Sequence, residues 1–277
     1  MKLEYAACSD PGRVRAINED RVWAQDFATS EGEPFGLFVV CDGLGGHQAG
    51  EMASYWAVET VKHELAPYFT PRNPRATVVL AEEDLKADPN LTKPVQRMLR
   101  SEIAGQIRRA VDKANQVVIG YAHQKPLEAA DAGTTITMAF IWGNLGVIAN
   151  VGDSRTYLLR DHRLRQVTQD HSLVATMVAS GQIRPGDVYT HPQRNVIYRS
   201  LGQKRKVEVD LFQETLQPGD TLLLCSDGLW EMIPDEGKMV HIIESASGSE
   251  KACRVLVETA NEAGGEDNIS AIVVRIK

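Results

Sequence analysis

Three aspartates stand at the ends of apolar runs, and that placement is the first sign of chemistry in the chain. Asp42 follows LFVVC, Asp227 comes just after LLLC, and Asp267 lies just before ISAIVVRI. A carboxylate is costly inside a core, so acids repeated at strand ends read as emerging together on the rim of a sheet. Two of them open an Asp-Gly step, and the first continues into a glycine-rich turn, DGLGGHQAGE, where backbone can approach a ligand closely. Either Asp-Gly alone reads as an ordinary turn. Both of them, with EDN before the last run, read as a site. Carboxylates gathered there raise one another's pKa unless cations join them. Oxygen donors favour Mg2+ or Mn2+ over zinc, and Cys41 and Cys225 read as small buried hydrophobes. A cluster able to hold two metals suits hydrolysis of a phosphate ester, in which the ions generate hydroxide and clamp the phosphoryl oxygens. Arg15, in RAINED, has the side chain such a clamp needs, a guanidinium with paired donors in one plane. Taken by itself it reads as a solvated surface charge.

These residues need strands and helices to hold them. Leu37 to Cys41, Leu222 to Cys225 and Ile269 to Ile276 read as buried strands. Ala132 to Gly152 carries no charge and has about the ~20-residue length of a membrane helix. Gly143-Asn144 divides it into two runs rich in Thr, Ile, Val and aromatic residues, so it reads as a hairpin of two core strands. Amphipathic helices are expected where Met52, Trp56, Val61 and Leu65 recur, and where Leu99, Ile103, Ile107, Ala114, Val117 and Tyr121 do. Another is expected from Glu250 to Ala263, packed through Cys253, Leu256, Val257 and Ala260 and ended by Gly264-Gly265. Residues 71–98 mix prolines with charge and read as an irregular inserted connection, and residues 171–202 as a small flap beside the site. No repeat or linker divides the chain, so residues 1–277 read as a single domain.

The 277 residues are 43% apolar and 24% charged, enough for a substantial core. A net charge of −7 argues against nucleic acid as the principal partner, since phosphate backbones demand a basic face. The N-terminal MKLEYAACSD lacks the apolar stretch of a signal peptide, and four cysteines without a CxxC pair read as reduced thiols. A cytoplasmic location with no membrane partner is expected.

The segments SDPGRVRAINED, VVCDGLGGHQAGEMAS, DAGTTITMAF, ANVGDSRTYLLR, LLLCSDGLWEMI and GGEDNISAIVV, in that order, resemble the motifs of metal-dependent protein serine/threonine phosphatases of type 2C, the compact bacterial members especially. They run from Ser9 to Val274, nearly the whole chain. The resemblance implies an α+β fold, a four-layer α-β-β-α sandwich of two antiparallel sheets flanked by helices. It implies that Asp42 bridges two Mn2+ or Mg2+ ions, with the Gly43 carbonyl, Asp227 and Asp267 completing the protein ligands. Glu19 and Asp20 match acids that act near the metals through water, Arg15 the phosphate-binding arginine, and Asp131 the carboxylate that helps hold a third, looser metal. The activity implied is hydrolysis of phosphoserine and phosphothreonine in proteins by a dinuclear-metal-bound hydroxide, without a phosphoenzyme, reversing a serine/threonine protein kinase; a monomer is expected. Asp153 and Arg155 in VGDSR match the family but read as mostly structural, and Arg194 and Arg199 are candidate substrate contacts on the flap. One departure concerns the leaving group. Many eukaryotic members carry a histidine directly after the metal-binding Asp-Gly, where this chain has Leu44. His47, further along the turn, either supplies the proton, directly or through water, or only orders the turn. Two rival readings are a pseudophosphatase that binds phosphoproteins without turnover and a metal-dependent phosphatase for small molecules or a sporulation-type relative with one dedicated substrate.

Overall fold

The apolar runs are strands with both faces covered, which is why they lack the polar alternation of a half-exposed sheet. The computed structural model of the chain describes residues 1–27, 33–45, 48–69 and 92–277. In chain order the elements begin with β1 (Leu3–Asp10), β2 (Arg21–Asp26), β3 (Phe35–Cys41), β4 (Gly43–Leu44), α1 (Gln48–Phe69), α2 (Thr92–Gln124) and β5 (Gly133–Thr134). There follow β6 (Ile136–Trp142), β7 (Leu145–Val151), β8 (Arg155–Arg160), β9 (Arg163–Gln166), α3 (Leu173–Ala179) and β10 (Asp210–Thr215). The chain closes with β11 (Thr221–Cys225), α4 (Asp227–Trp230), α5 (Glu236–Ser245), α6 (Ser249–Glu262) and β12 (Ile269–Ile276).

The strands form two five-stranded antiparallel sheets, ordered β1-β12-β11-β8-β9 and β10-β7-β6-β3-β2, and β4 pairs with β5 apart from them. Because side chains alternate along a strand, each central strand feeds two cores. On β3, Phe38 and Val40 pack between the sheets, while Leu37, Val39 and Cys41 pack under α1 and α2. On β12, Ile272, Val274 and Ile276 face the opposite sheet, while Ile269, Ala271 and Val273 face α5 and α6. Helix, sheet, sheet and helix are thus stacked in four layers, the expected class. The Gly143-Asn144 turn joins β6 to β7 with Trp142 opposite Leu145, and α6 stops before Gly264-Gly265, both as expected.

The larger departure of the helix faces from expectation is on α1. Trp56 is 37% exposed, and α1 packs through Ala49, Ala53, Ala57, Val58, Val61 and Leu65. The small alanines let the helix lie close on the sheet, which turns the neighbouring bulky ring outward. On α2, Ile103, Ile107 and Ala114 are buried as expected, with Tyr121 packed at the edge of the same core, but Val118 completes the face where Val117 is expected, Val117 being half-buried, and the Leu99 side chain lies outside the described residues. Of the connection expected over 71–98, residues 92–98 are the first turns of α2, and residues 71–91 lie outside the described residues. The flap at 171–202 contains α3 and a 3-10 turn, Pro185–Tyr189; the bridge Ser172↔Ile197 closes it on itself, and Thr134↔Leu201 ties its end to β5. Among the described residues no helix is long and apolar enough to cross a membrane.

Candidate active site

Antiparallel pairing sends several strand ends to one rim. The start of β2 lies beside the end of β3, and the end of β11 beside the starts of β8 and β12. β3 and β7 both pair antiparallel with β6, so they end together as well. Asp20, Asp42, Asp153, Asp227 and Asp267 each sit one or two residues beyond these ends. Two side chains fasten one sheet's rim to the other's. The Ser226 hydroxyl donates to Asp20 Oδ2 at 2.7 Å and accepts from the Ser270 amide at 2.9 Å. Asn268 accepts from the Glu19 amide at 2.8 Å and donates to the carbonyls of Pro11 and Ile17, which holds the Arg15 loop against the start of β12.

The backbone around Asp42 is fixed from three sides. Its amide donates to Thr135 Oγ1 at 3.0 Å, and its carbonyl accepts from the Thr135 amide at 2.9 Å and from the Thr134 hydroxyl at 2.8 Å. Gly43 is required next, because a Cβ there would lie 2.3 Å from the Gly50 carbonyl oxygen and 2.5 Å from that of Glu19. The start of α1 and the Glu19 segment thereby close directly on the candidate ligand backbone; the Ser54 hydroxyl donates to the Glu19 carbonyl at 2.6 Å.

The acids are held in an electrostatically uncomfortable state. Burial pushes the Asp42 carboxyl well above the usual carboxylate range, and Asp227, Asp20, Asp153 and Asp267 push it further. Burial likewise raises Asp20, against the opposing hydrogen bonds of Ser270 and Ser226. Asp227 is raised by burial and then by Asp267. Arg15 is the counter-charge at the edge: its Nη2 donates to Asp267 Oδ2 at 2.7 Å with the guanidinium half exposed.

Whether these residues fit a divalent cation is decided by their unsatisfied atoms. Asp20 Oδ1 and Asp227 Oδ1 are buried without a hydrogen-bond partner among the described residues, a costly arrangement for carboxylates. Cations would satisfy both, and a donor set of carboxylates with the Gly43 carbonyl is what Mg2+ or Mn2+ takes. Among the described residues no group of three or more acid, histidine or cysteine side chains is already placed to hold a metal ion. The fit therefore rests on the oxygen chemistry and the orphaned atoms.

The rim accordingly collects Arg15, Glu19, Asp20, Asp42, Gly43, Asp227 and Asp267. Asp131 is exposed on the loop leading into β5, its carbonyl against Gly45. His47 lies outside the described residues. On the flap, Arg194 reaches the rim and binds Glu231 and Glu266 at 3.2 Å each, whereas Arg199 is turned to Asp210 at 2.8 Å and Glu208 at 3.1 Å. VGDSR is built into the core: Arg155 pairs with Asp170 at 2.6 Å and lies 3.5 Å over the Trp230 ring, and the Trp230 indole donates to the Asp153 carbonyl. The Asp153 carboxyl is buried and close enough to the others to raise Asp42, a proximity that reading VGDSR as structural does not capture. Ser226 and Asn268 stand inside SDG and EDN, but their bonds across the rim carry no signal in the local sequence.

Comparison with known proteins agrees with this geometry. Residues 15–259 match the protein phosphatase 2C family. The chain is 37% identical to the serine/threonine phosphatase stp of Listeria monocytogenes over 266 residues, 96% of this chain and 93% of that protein. Its fold resembles the crystal structure of the Mycobacterium tuberculosis serine/threonine phosphatase PstP/Ppp, with a TM-score of 0.77, 32% identity and 99% of each chain covered. A structure of the PstP catalytic domain in complex with two manganese ions matches at a TM-score of 0.74 and 30% identity over 99% of each chain. Motif order, rim geometry and these likenesses agree on one assignment: the chain belongs to the protein phosphatase 2C family, as a phosphatase of the serine/threonine type.

Proposed function

We propose that this rim hydrolyses phosphoserine and phosphothreonine in proteins by one in-line displacement at phosphorus, with no phosphoenzyme. The observation that carries this reading is the pair of orphaned buried oxygens on Asp20 and Asp227 beside the Asp42–Gly43 turn. Asp42, the Gly43 carbonyl, Asp227 and Asp267 would hold two Mn2+ or Mg2+ ions, with Glu19 and Asp20 acting through water and Asp131 helping to hold a third, looser ion. When bound, the ions supply the activated water nucleophile and neutralise phosphoryl charge. Arg15 contributes a planar fork for the phosphoryl oxygens; its half-exposed pairing with Asp267 keeps the guanidinium at the mouth of the site, where it can transfer to an incoming phosphate. His47 is the proton donor proposed for the leaving alkoxide. The buried serine and threonine hydroxyls around Asp42 and Asp20 hold backbone and carboxyl in place, so little reorganisation is left for the reaction itself. The substrates are phosphorylated proteins, the functional counterpart is a serine/threonine protein kinase, and the enzyme works as a cytoplasmic monomer.

The test is manganese-dependent release of phosphate from a phosphothreonine peptide, run beside a panel of sugar phosphates. Turnover of the peptide in preference to the sugars is expected. Preference for the sugar phosphates would favour the small-molecule reading, and binding without turnover of either would favour a pseudophosphatase.

A further inference from the structure

Immediately after the flap the chain makes an exposed turn, Gln203-Lys204-Arg205-Lys206, in a protein whose net charge is −7. None of the three cations forms an ion pair with a described carboxylate, whereas Arg155, Arg160, Arg194 and Arg199 all do. Adjacent like charges repel, so such a turn would ordinarily splay. Here it is held from beneath. Asn115 of α2, fully buried, accepts from the Gly202 amide at 2.8 Å and donates to the Lys204 carbonyl at 2.8 Å, and Gln116 donates to the Arg205 carbonyl. Lys113 and Arg109, exposed one and two turns before Gln116 on the same helix face, extend the positive surface, with Asp112 beside them.

The turn is also tied to the site. Leu201 exchanges backbone hydrogen bonds with Thr134 at 2.8 and 3.1 Å, and Thr134 pairs with Gly43. Gly202, at φ +94°, packs so tightly that a Cβ would lie 2.5 Å from the Ala132 carbonyl oxygen. Lys204 follows two residues later, within about 7 Å of Gly202 along the chain. An extended peptide advances about 3.3 Å per residue, so side chains roughly three to seven positions from a phosphoresidue held at Gly43 come within reach of the turn.

We propose that the Lys204-Arg205-Lys206 turn is a specificity surface that receives an acidic segment flanking the phosphorylated residue of the protein substrate. This rests on the phosphoprotein reading above and narrows it. An acidic segment would otherwise be repelled by the chain's overall charge, and a pre-ordered basic turn attracts it locally with little ordering cost. Nucleic acid fits less well, because among the described residues this basic stretch covers only one turn and part of one helix face, and the chain as a whole is acidic.

The experiment compares two phosphothreonine peptides of equal length, one with three glutamates placed about four to six residues from the phosphoresidue and one with glutamines there, together with nitrophenyl phosphate. Wild-type protein in Mn2+ should favour the acidic peptide at least fivefold in kcat/KM, mostly through KM, and the preference should fade by about 0.5 M salt as screening sets in. The triple variant K204A/R205A/K206A should lose the preference and keep wild-type turnover of nitrophenyl phosphate, which also shows that it is folded. Equal rates on the two peptides, or a preference that survives in the triple variant, overturn the proposal and leave the phosphatase reading intact. Turnover of nitrophenyl phosphate with neither peptide hydrolysed overturns both. Displacement of the acidic peptide's preference by a single-stranded DNA oligonucleotide that binds only the wild-type turn would assign the surface to nucleic acid instead.

Discussion

Arg15 separates charge from shape at the level of one side chain. It is exposed enough to swing and already oriented on a carboxylate, so Arg15→Lys keeps the positive charge but removes the fork. A loss in kcat/KM of about tenfold or more on phosphopeptides is expected, and unchanged kinetics would return Arg15 to an ordinary surface role. His47 is separable by leaving group. A serine alkoxide needs a proton in the transition state whereas nitrophenolate does not, so His47→Ala should slow phosphopeptide hydrolysis by roughly 10²-fold and nitrophenyl phosphate hydrolysis far less. Equal losses on both would mean that His47 orders the turn, and water would become the better acid.

Between residue and fold, the flap is anchored by a buried histidine. His171 accepts the Gly152 amide on Nδ1 at 3.0 Å and faces Asp210 from Nε2 at 3.2 Å, with Arg199 and Asp170 nearby. Burial holds its pKa below the ordinary 6.5, helped by Arg199 and opposed by Asp210 and Asp170. The unfolded chain therefore binds a proton that the folded one refuses. That stability is fully present above pH 6.5 and falls as pH drops below it, the sign required when the unfolded state binds more protons. His171→Gln should flatten the thermal midpoint between about pH 5 and 6.5 relative to wild type. Parallel curves for the two proteins would remove His171 from the pH response.

Across the whole molecule, the two sheets bring like charges to one end that ions are expected to reconcile. Activity should vanish in EDTA and return with Mn2+ or Mg2+, and added ion should raise the thermal midpoint by mass action. Full activity in rigorously metal-free protein would defeat this. Asp42→Asn offers an independent check on the electrostatics, because it removes a carboxyl whose charged form is disfavoured by burial and by four other carboxylates. In EDTA, once pH is high enough to ionise Asp42, the variant should melt higher than wild type by about 2–8 °C, at ~2–4 °C per kcal/mol for a chain of this size, and should lack turnover when metal is restored. A lower midpoint would mean that hydrogen bonding by the Asp42 carboxyl outweighs the repulsion.

What the sequence determined by itself was local or carried by motif order. Leu37–Cys41 and Ile269–Ile276 were legible as strands because both of their faces are buried, and Gly143-Asn144 exposed the hairpin inside an uncharged stretch. Asp42, Asp227 and Asp267 stood out because acids at the ends of such strands have nowhere to go but a rim. The tertiary structure decided whatever depends on which face meets which. Helical periodicity fits more than one stripe on α1, and only the close seat of Ala53 and Ala57 on the sheet turned Trp56 outward. Ser226 finds Asp20 across 206 positions and Arg15 finds Asp267 across 252, separations over which sequence carries no spacing signal. The basic turn at 204–206 likewise reads as a solvated loop until Asn115, 89 residues before Lys204, is seen beneath it. Periodicity reports the geometry of one segment, whereas these pairings follow from how sheets and helices pack together, and packing is settled only when the whole chain folds.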